Sequence, residues 1–326
     1  MNLLLVLCLV LCSLWSCSCF SGAAPSRKVL VTGAGGRTGK LVVEKLMADG
    51  GYAVVGMVRS RKKADGLMRS LQTNNDNKNI NNVDIVVGDV TSEESLREAM
   101  AGCYGLVVCT SAVPQLKKRS LLKLLWRKAT FRKAGFPEFS WSGGSPPEDV
   151  DYKGQLNQFK AAQEAKVSRV VVVSSMGGTD SENFLNKIGR KEDGTNGDIL
   201  LWKRKAERAL IDTGLSYGII HPGGLTDDVK KPRKMVFDVN DNLMSRKKRS
   251  IPRDDVAALC VESLRDAVPS FSLDVVTEEV EGGKEGKVSA ADVREGLDGF
   301  LEGGTKYDYD FKMEKDTEKE KEKEKV

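Results

Sequence analysis

Cysteine is almost absent from most of this chain. Four of the seven stand within the first 19 residues, leaving Cys103, Cys109 and Cys260 for everything that follows. An odd, scattered set excludes a disulfide framework, and no CxxC pair offers metal-ligand spacing. The three are expected to be small buried hydrophobes. Histidine is scarcer still, with His221 alone. The apolar run from Leu3 to Trp15 has about 13 residues where roughly 20 are needed to cross a bilayer. A single-sign charge excess is lacking too: the formal charge is only +5. With 326 residues and 40% hydrophobic content, the chain has room for one large α/β domain or two small ones.

The apolar run is followed by Ser16-Cys17-Ser18-Cys19, and this pattern predicts a signal peptide over residues 1–19, cut near Cys19–Phe20. Residues 20–27, beginning Phe20-Ser21-Gly22-Ala23-Ala24-Pro25, resemble the signal-to-transit junction of algae with multiply enveloped plastids. That resemblance implies plastid import through a bipartite presequence, with secretion or the endoplasmic reticulum as the alternative. No transmembrane segment is expected in the mature chain.

Val29-Leu30-Val31-Thr32 then runs into Gly33-Ala34-Gly35-Gly36-Arg37-Thr38-Gly39, and a helical pattern follows from Lys40 to Met47. Strand, glycine turn and helix set backbone N–H groups and a helix N-terminus against a pyrophosphate. The spacing is GxxGxxG. A second strand, Tyr52 to Val58, ends in Arg59-Ser60-Arg61, with no acid after it. An acid there would bind a ribose 2′-hydroxyl, whereas Arg accommodates a 2′-phosphate and can pair with it bidentately. The rival reading of Arg59 is a solvated basic turn.

Further strands are expected at Val83–Val87, Leu106–Thr110, Val170–Val173 and Leu215–Ile220, with a last one at Ser270–Val276. Helices fall between them: Ser92–Met100 capped by Thr91, Tyr152–Lys166, Ile199–Leu210, and an amphipathic one opened by Pro252-Arg253. This rhythm predicts a Rossmann-like, doubly wound parallel sheet forming one α/β domain over residues 28–305. Lys117 to Lys133 interrupts it with eight basic residues and no acid. A basic helix over the nicotinamide end, a surface for RNA or an acidic partner, and a solvated face are all open there; the last is the plainest. Residues 306–326 end in Glu and Lys with almost no apolar residue from Lys312 on, and are expected to be disordered. His221 follows the sixth strand, where a turn role is plainer than acid–base chemistry.

Taken together, the chain resembles the atypical short-chain dehydrogenase/reductases of the NAD(P)-binding, NmrA-like plant and plastid kind. The motifs that carry the resemblance are Thr32 to Gly39, Val58-Arg59-Ser60, Gly88-Asp89-Val90, Thr110-Ser111-Ala112-Val113-Pro114, Ser174-Ser175-Met176-Gly177-Gly178, Trp202 to Glu207 and His221-Pro222-Gly223-Gly224-Leu225. It implies that Gly33, Gly36 and Gly39 form the phosphate turn of an NADP(H) site, with Gly35 and Thr38 against the cofactor. Arg37 and Arg59 would stand near the adenosine phosphate, Asp89 and Val90 would flank the adenine, and Thr110 and Ser111 would line the ribose. Ser175 would be the catalytic serine and Lys203 the lysine of Tyr-x-x-x-Lys.

The tyrosine itself is missing, because Ile199 stands four residues before Lys203. A protonated phenol normally completes such a reduction. Ser175, His221 or Tyr217 would have to replace it, or the acceptor, such as a quinone or flavin, needs no protein acid. The expected activity is NADPH-dependent hydride transfer to a small conjugated carbonyl, quinone or flavin. The alternative is a non-catalytic NADP(H)-binding redox sensor or scaffold.

Overall fold

The computed structural model describes residues 27–73, 80–117, 119–120, 126, 129–130, 138–191, 193–281, 286 and 288–310. The expected presequence and most of the Lys117–Lys133 segment lie outside them. Its frame is one eight-stranded sheet. The first half alternates β1 (Arg27–Thr32), α1 (Arg37–Asp49), β2 (Tyr52–Val58), α2 (Arg61–Thr73), β3 (Val83–Val87), α3 (Glu93–Met100) and β4 (Gly105–Val108). A two-stranded ribbon follows, β5 (Pro114–Leu116) antiparallel to β6 (Phe139–Trp141). Then come α4 (Gly154–Glu164), β7 (Arg169–Val173), α5 (Phe184–Lys187), α6 (Ile199–Asp212), β8 (Tyr217–Pro222), β9 (Gly224–Thr226) and β10 (Arg233–Asp238). The chain continues through β11 (Ser250–Pro252), α7 (Arg253–Glu262), β12 (Phe271–Glu279) and α8 (Ala290–Glu302).

The strand order is β10-β12-β8-β7-β4-β1-β2-β3, parallel throughout except that β10 runs antiparallel to β12. The order reverses between β1 and β4, and such a switch point opens a crevice at the strands' carboxyl ends. Period-two alternation divides the core between the two faces. Val29, Val31, Val107 and Val171 pack with α1, α2, α7 and α8, whereas Leu30, Leu106, Val108, Val170 and Val172 pack with α3, α4 and α6. The result is the Rossmann-like α/β sandwich that the sequence predicts.

Several local expectations change. Ser92, not Thr91, caps α3: its hydroxyl accepts from the Ser95 N–H, while the Thr91 N–H and hydroxyl both donate to Asp89 Oδ1. That Asx turn holds Thr91 outside the helix. α7 is not amphipathic but buried from Asp254 to Glu262, packed between α1 and α8. Its polar residues survive burial by pairing, Asp254 with Lys45 and Asp255 with Arg233. Edge strand β10 was not expected at all. The fold also continues past residue 305, for Tyr307 and Tyr309 pack into it; residues 311–326 lie outside the described part.

Candidate cofactor and acceptor site

The carboxyl end of β1 makes the tightest approach in the fold. Gly33 is left-handed (φ +69°), and a Cβ there would stand 2.6 Å from the Cys109 carbonyl oxygen. A Cβ on Gly39 would come within 2.3 Å of the Gly33 oxygen. Only glycine lets the turn fold down onto the neighbouring strand and the first turn of α1. The Gly36 N–H donates to the Gly33 carbonyl at 2.8 Å, closing the turn. No acid occupies the first turn of α1, so the helix N-terminus keeps its attraction for anions.

An open cleft runs from this turn. It is lined by Gly33, Gly35 and Gly36, by Arg59 and Lys63 after β2, by Asp89 and Val90 after β3, and by Thr110 and Ser111 after β4. All of these except Lys63 are motif residues expected to hold a cofactor. Gln158, which the sequence reading missed, ties the floor together: it accepts from the Thr32 hydroxyl at 2.6 Å and donates to Thr110 Oγ1 at 3.3 Å.

Four expected cofactor residues do not line this cleft: Thr38 and Lys203 face the cavity beyond it, and Arg37 and Gly39 stand elsewhere. Arg37 is exposed and paired with Asp227, which also holds Arg253, so its guanidinium is drawn away from the cleft. Gly39 shapes the turn from behind and does not line the cleft.

The cleft continues past Cys109 and Ser111 into a second cavity of about 300 Å³. Thr38, Ser174, Ser175 and Lys203 face it among Trp141, Leu185, Ile188, Ile199, Leu200 and Leu225. Ser175 and Lys203 are thus brought together, as expected, with Ile199 beside them in place of a phenol. The Trp141 indole N–H is fixed at 2.9 Å to the Asn196 carbonyl. Ser175 donates to the Met176 carbonyl at 3.2 Å. Burial pushes the Cys109 thiol up to about 12, against the pull of Lys203, so it is no nucleophile here.

Lys203 is buried, and its Nζ lies 2.7 Å from Asp151 Oδ1. Asp151 sits in the π-helical turn Glu148–Lys153 ahead of α4, and its other oxygen accepts from the Ala112 N–H at 2.9 Å. Asp151, Gln155 and Gln158 recur at helical spacing and are all buried polar residues. That polar stripe is the sequence signal that would have found them.

Below the second cavity lies a buried ionic cluster. Glu207 accepts from the Ser174 hydroxyl, from Arg204 Nη1 at 2.9 and 3.0 Å and from the Tyr309 hydroxyl at 3.0 Å, with His221 Nε2 at 3.0 Å. Burial alone would raise the pKa of Glu207, but Arg204 and then His221 outweigh it and hold the carboxyl at about 2. His221 also has Asp274 at 3.2 Å, off the line of a hydrogen bond. It is therefore enclosed between two carboxylates and does not face the cavity, which removes it as a direct proton donor. Tyr217 is also removed: it opens β8 and pairs with Val170, at the opposite end of the strands from the cavity.

No group of acids, histidines and cysteines among the described residues could hold a metal, and no described helix is long and apolar enough to cross a membrane. The glycine cradle, the unopposed helix N-terminus and the polar cleft fit a dinucleotide.

Comparison with known proteins agrees. Residues 33–267 match the family described as NAD(P)H-binding. An uncharacterized chloroplastic protein of Arabidopsis thaliana is 40% identical over 239 residues, covering 73% of this chain and 65% of its own. Sanguinarine reductase of Eschscholzia californica is 36% identical over 245 residues, covering 72% of this chain and 83% of its own. The chain therefore spans about two thirds of the first relative and more of the second. The oxidoreductase ylbE of Lactococcus lactis shares the fold at a TM-score of 0.53 and 21% identity, over 84% of this chain and 97% of that one. The chain belongs to the NAD(P)H-binding family.

Proposed function

We propose that the protein is an NADPH-dependent oxidoreductase that passes hydride to a small conjugated carbonyl, quinone or flavin. The observation that carries this reading is the apolar cavity of about 300 Å³ that continues the cofactor cleft and holds Ser175 and Lys203 at its wall. A bound reduced nicotinamide supplies hydride; the chain's own residues place both partners. Backbone N–H groups at Gly35 and in the first turn of α1 meet the pyrophosphate. Arg59 and Lys63 meet the 2′-phosphate of the adenosine, Asp89 and Val90 flank the adenine, and Thr110 and Ser111 line the ribose on the nicotinamide side. Lys203 holds that ribose through its ammonium, and Ser175 borders the acceptor. The Eschscholzia relative is by its name a reductase, which favours catalysis.

Ile199 favours a second reading, a non-catalytic NADP(H)-binding sensor or scaffold, because it supplies no proton. NADPH oxidation against a panel of quinones, flavins and reactive carbonyls separates the two. Turnover with at least one acceptor is expected; tight NADPH binding with no turnover on any of them would leave only the sensor.

The Arabidopsis relative is named as chloroplastic, which supports a plastid destination for this chain, reached through residues 1–19 and 20–27 as signal and transit segments. The folded unit is proposed to run from residue 28 through the Tyr307–Tyr309 stretch.

A further inference from the structure

We infer that Asp151 holds Lys203 as the proton donor to the reduced acceptor, in the place a phenol would otherwise take. The inference rests on the oxidoreductase reading above and names the acid that reading lacks.

The second cavity offers few free proton donors. Ser174 spends its hydrogen on Glu207, Ser175 on the Met176 carbonyl, and Trp141 on the Asn196 carbonyl. Thr38 and Ser111 carry alcohol hydroxyls, which are far weaker acids than an ammonium. Lys203 is the one cationic side chain among the residues that line this cavity. An ammonium and a phenol ionise in the same range, about 10.4 and about 10 in model compounds, so either can protonate an enolate or a hydroquinone anion.

Asp151 stands 2.7 Å from Nζ, fully buried, with its second oxygen fixed by the Ala112 N–H. The carboxylate thereby locks Lys203 to the loop after β4, which itself lines both the cleft and the cavity. Nζ has three N–H bonds. The contact with Asp151 is an ion pair off the line of a hydrogen bond, so these bonds remain to serve the ribose and the acceptor.

The step balances. The acceptor carbon takes the hydride, and the carbonyl π pair moves to oxygen. That oxygen gains a proton as one Nζ–H bond breaks. The amine lone pair that results is reprotonated from solvent, so each turnover consumes one reduced nicotinamide and one proton. Asp151 is a positioning residue here; Lys203 is the catalytic acid.

The test compares two acceptors. A conjugated ketone needs a proton after hydride arrives. N-methylacridinium takes hydride at carbon and becomes neutral without one. In Asp151→Asn, kcat for the ketone should fall about tenfold to hundredfold, within the range a general acid contributes. NADPH affinity, read by nicotinamide fluorescence, should stay within about threefold, and the acridinium rate within about twofold. Asp151→Glu should recover part of the ketone rate. Should Asp151→Asn not fold, Lys203→Arg serves: it keeps the charge but surrenders a proton much less readily, so the ketone rate should fall relative to the acridinium rate. An unchanged ketone kcat, an equal fall for both acceptors, or a loss confined to cofactor affinity would overturn the assignment. Wild-type protein that binds NADPH but reduces no ketone would remove the oxidoreductase reading itself, a different result.

Discussion

Glu207→Gln keeps the shape of a buried side chain and removes its charge. In the native fold that carboxylate serves Arg204, His221, Tyr309 and Ser174 at once, with no solvent contact. Its pKa lies at about 2 against an ordinary 4.5, because the Arg204 guanidinium, followed by His221, overcomes the burial that would raise it. At about 1.4 kcal/mol per pH unit this displacement is worth roughly 3 kcal/mol. The figure agrees in order of magnitude with the roughly 3–5 kcal/mol that breaking a buried ion pair costs. A depressed carboxylate stabilises the fold above its unfolded pKa and loses that contribution as pH falls through its folded pKa. Wild type should therefore exceed Glu207→Gln by roughly 3 kcal/mol near pH 7, by about half of that near pH 3, and by almost nothing near pH 2. Asp274 runs the other way, since burial raises its pKa, but both proteins retain it and it largely cancels. Urea unfolding at the two higher pH values, with m-values compared, measures the difference. A gap below about 0.5 kcal/mol at neutral pH, or one that widens on acidification, would refute the reasoning.

Two further outcomes concern the cofactor end. Arg59→Ala should weaken NADPH about tenfold to hundredfold, the worth of one charge-assisted hydrogen bond, and leave NADH unchanged in parallel fluorescence titrations. Equal losses for both nucleotides would remove the 2′-phosphate role. Gly39→Ala drives a methyl group to 2.3 Å from the Gly33 oxygen, a backbone atom that cannot rotate away. The turn must open, at about 1–3 kcal/mol in thermal unfolding, and NADPH affinity should drop at least tenfold.

The phosphate turn was legible because its geometry is local. Gly33, Gly36 and Gly39 lie within seven residues, and the steric demand each one meets comes from the same turn or the adjacent strand. The valine-rich strands were legible for the same reason, since period-two burial needs no knowledge of partners. What escaped notice depends on contacts between distant residues. Asp151 gains its meaning from Lys203 and Ala112, and reads alone as one more acid in Glu148-Asp149-Val150-Asp151. Tyr307 and Tyr309 stand in a charged stretch that looks like the start of a tail, yet they cover Arg204 and Glu207, about a hundred positions earlier. His221 shows the converse case. A strand-end histidine near a ligand crevice offers a turn role or, less plainly, chemistry, and its actual place between Glu207 and Asp274 is set by two other elements. Strand β10 was hidden because Arg233-Lys234 and Asp238 flank only three apolar residues, and its pairing with β12 is antiparallel and at the sheet edge.

Hydride transfer through the second cavity is the central claim, and isotope transfer measures it directly. The protein would be incubated with NADPH deuterated at C4 of the nicotinamide and a conjugated ketone, and the product analysed by mass spectrometry. One non-exchangeable deuterium is expected on a product carbon, with the proton added to oxygen drawn from solvent. Tight binding of the labelled cofactor with no deuterated product would contradict it.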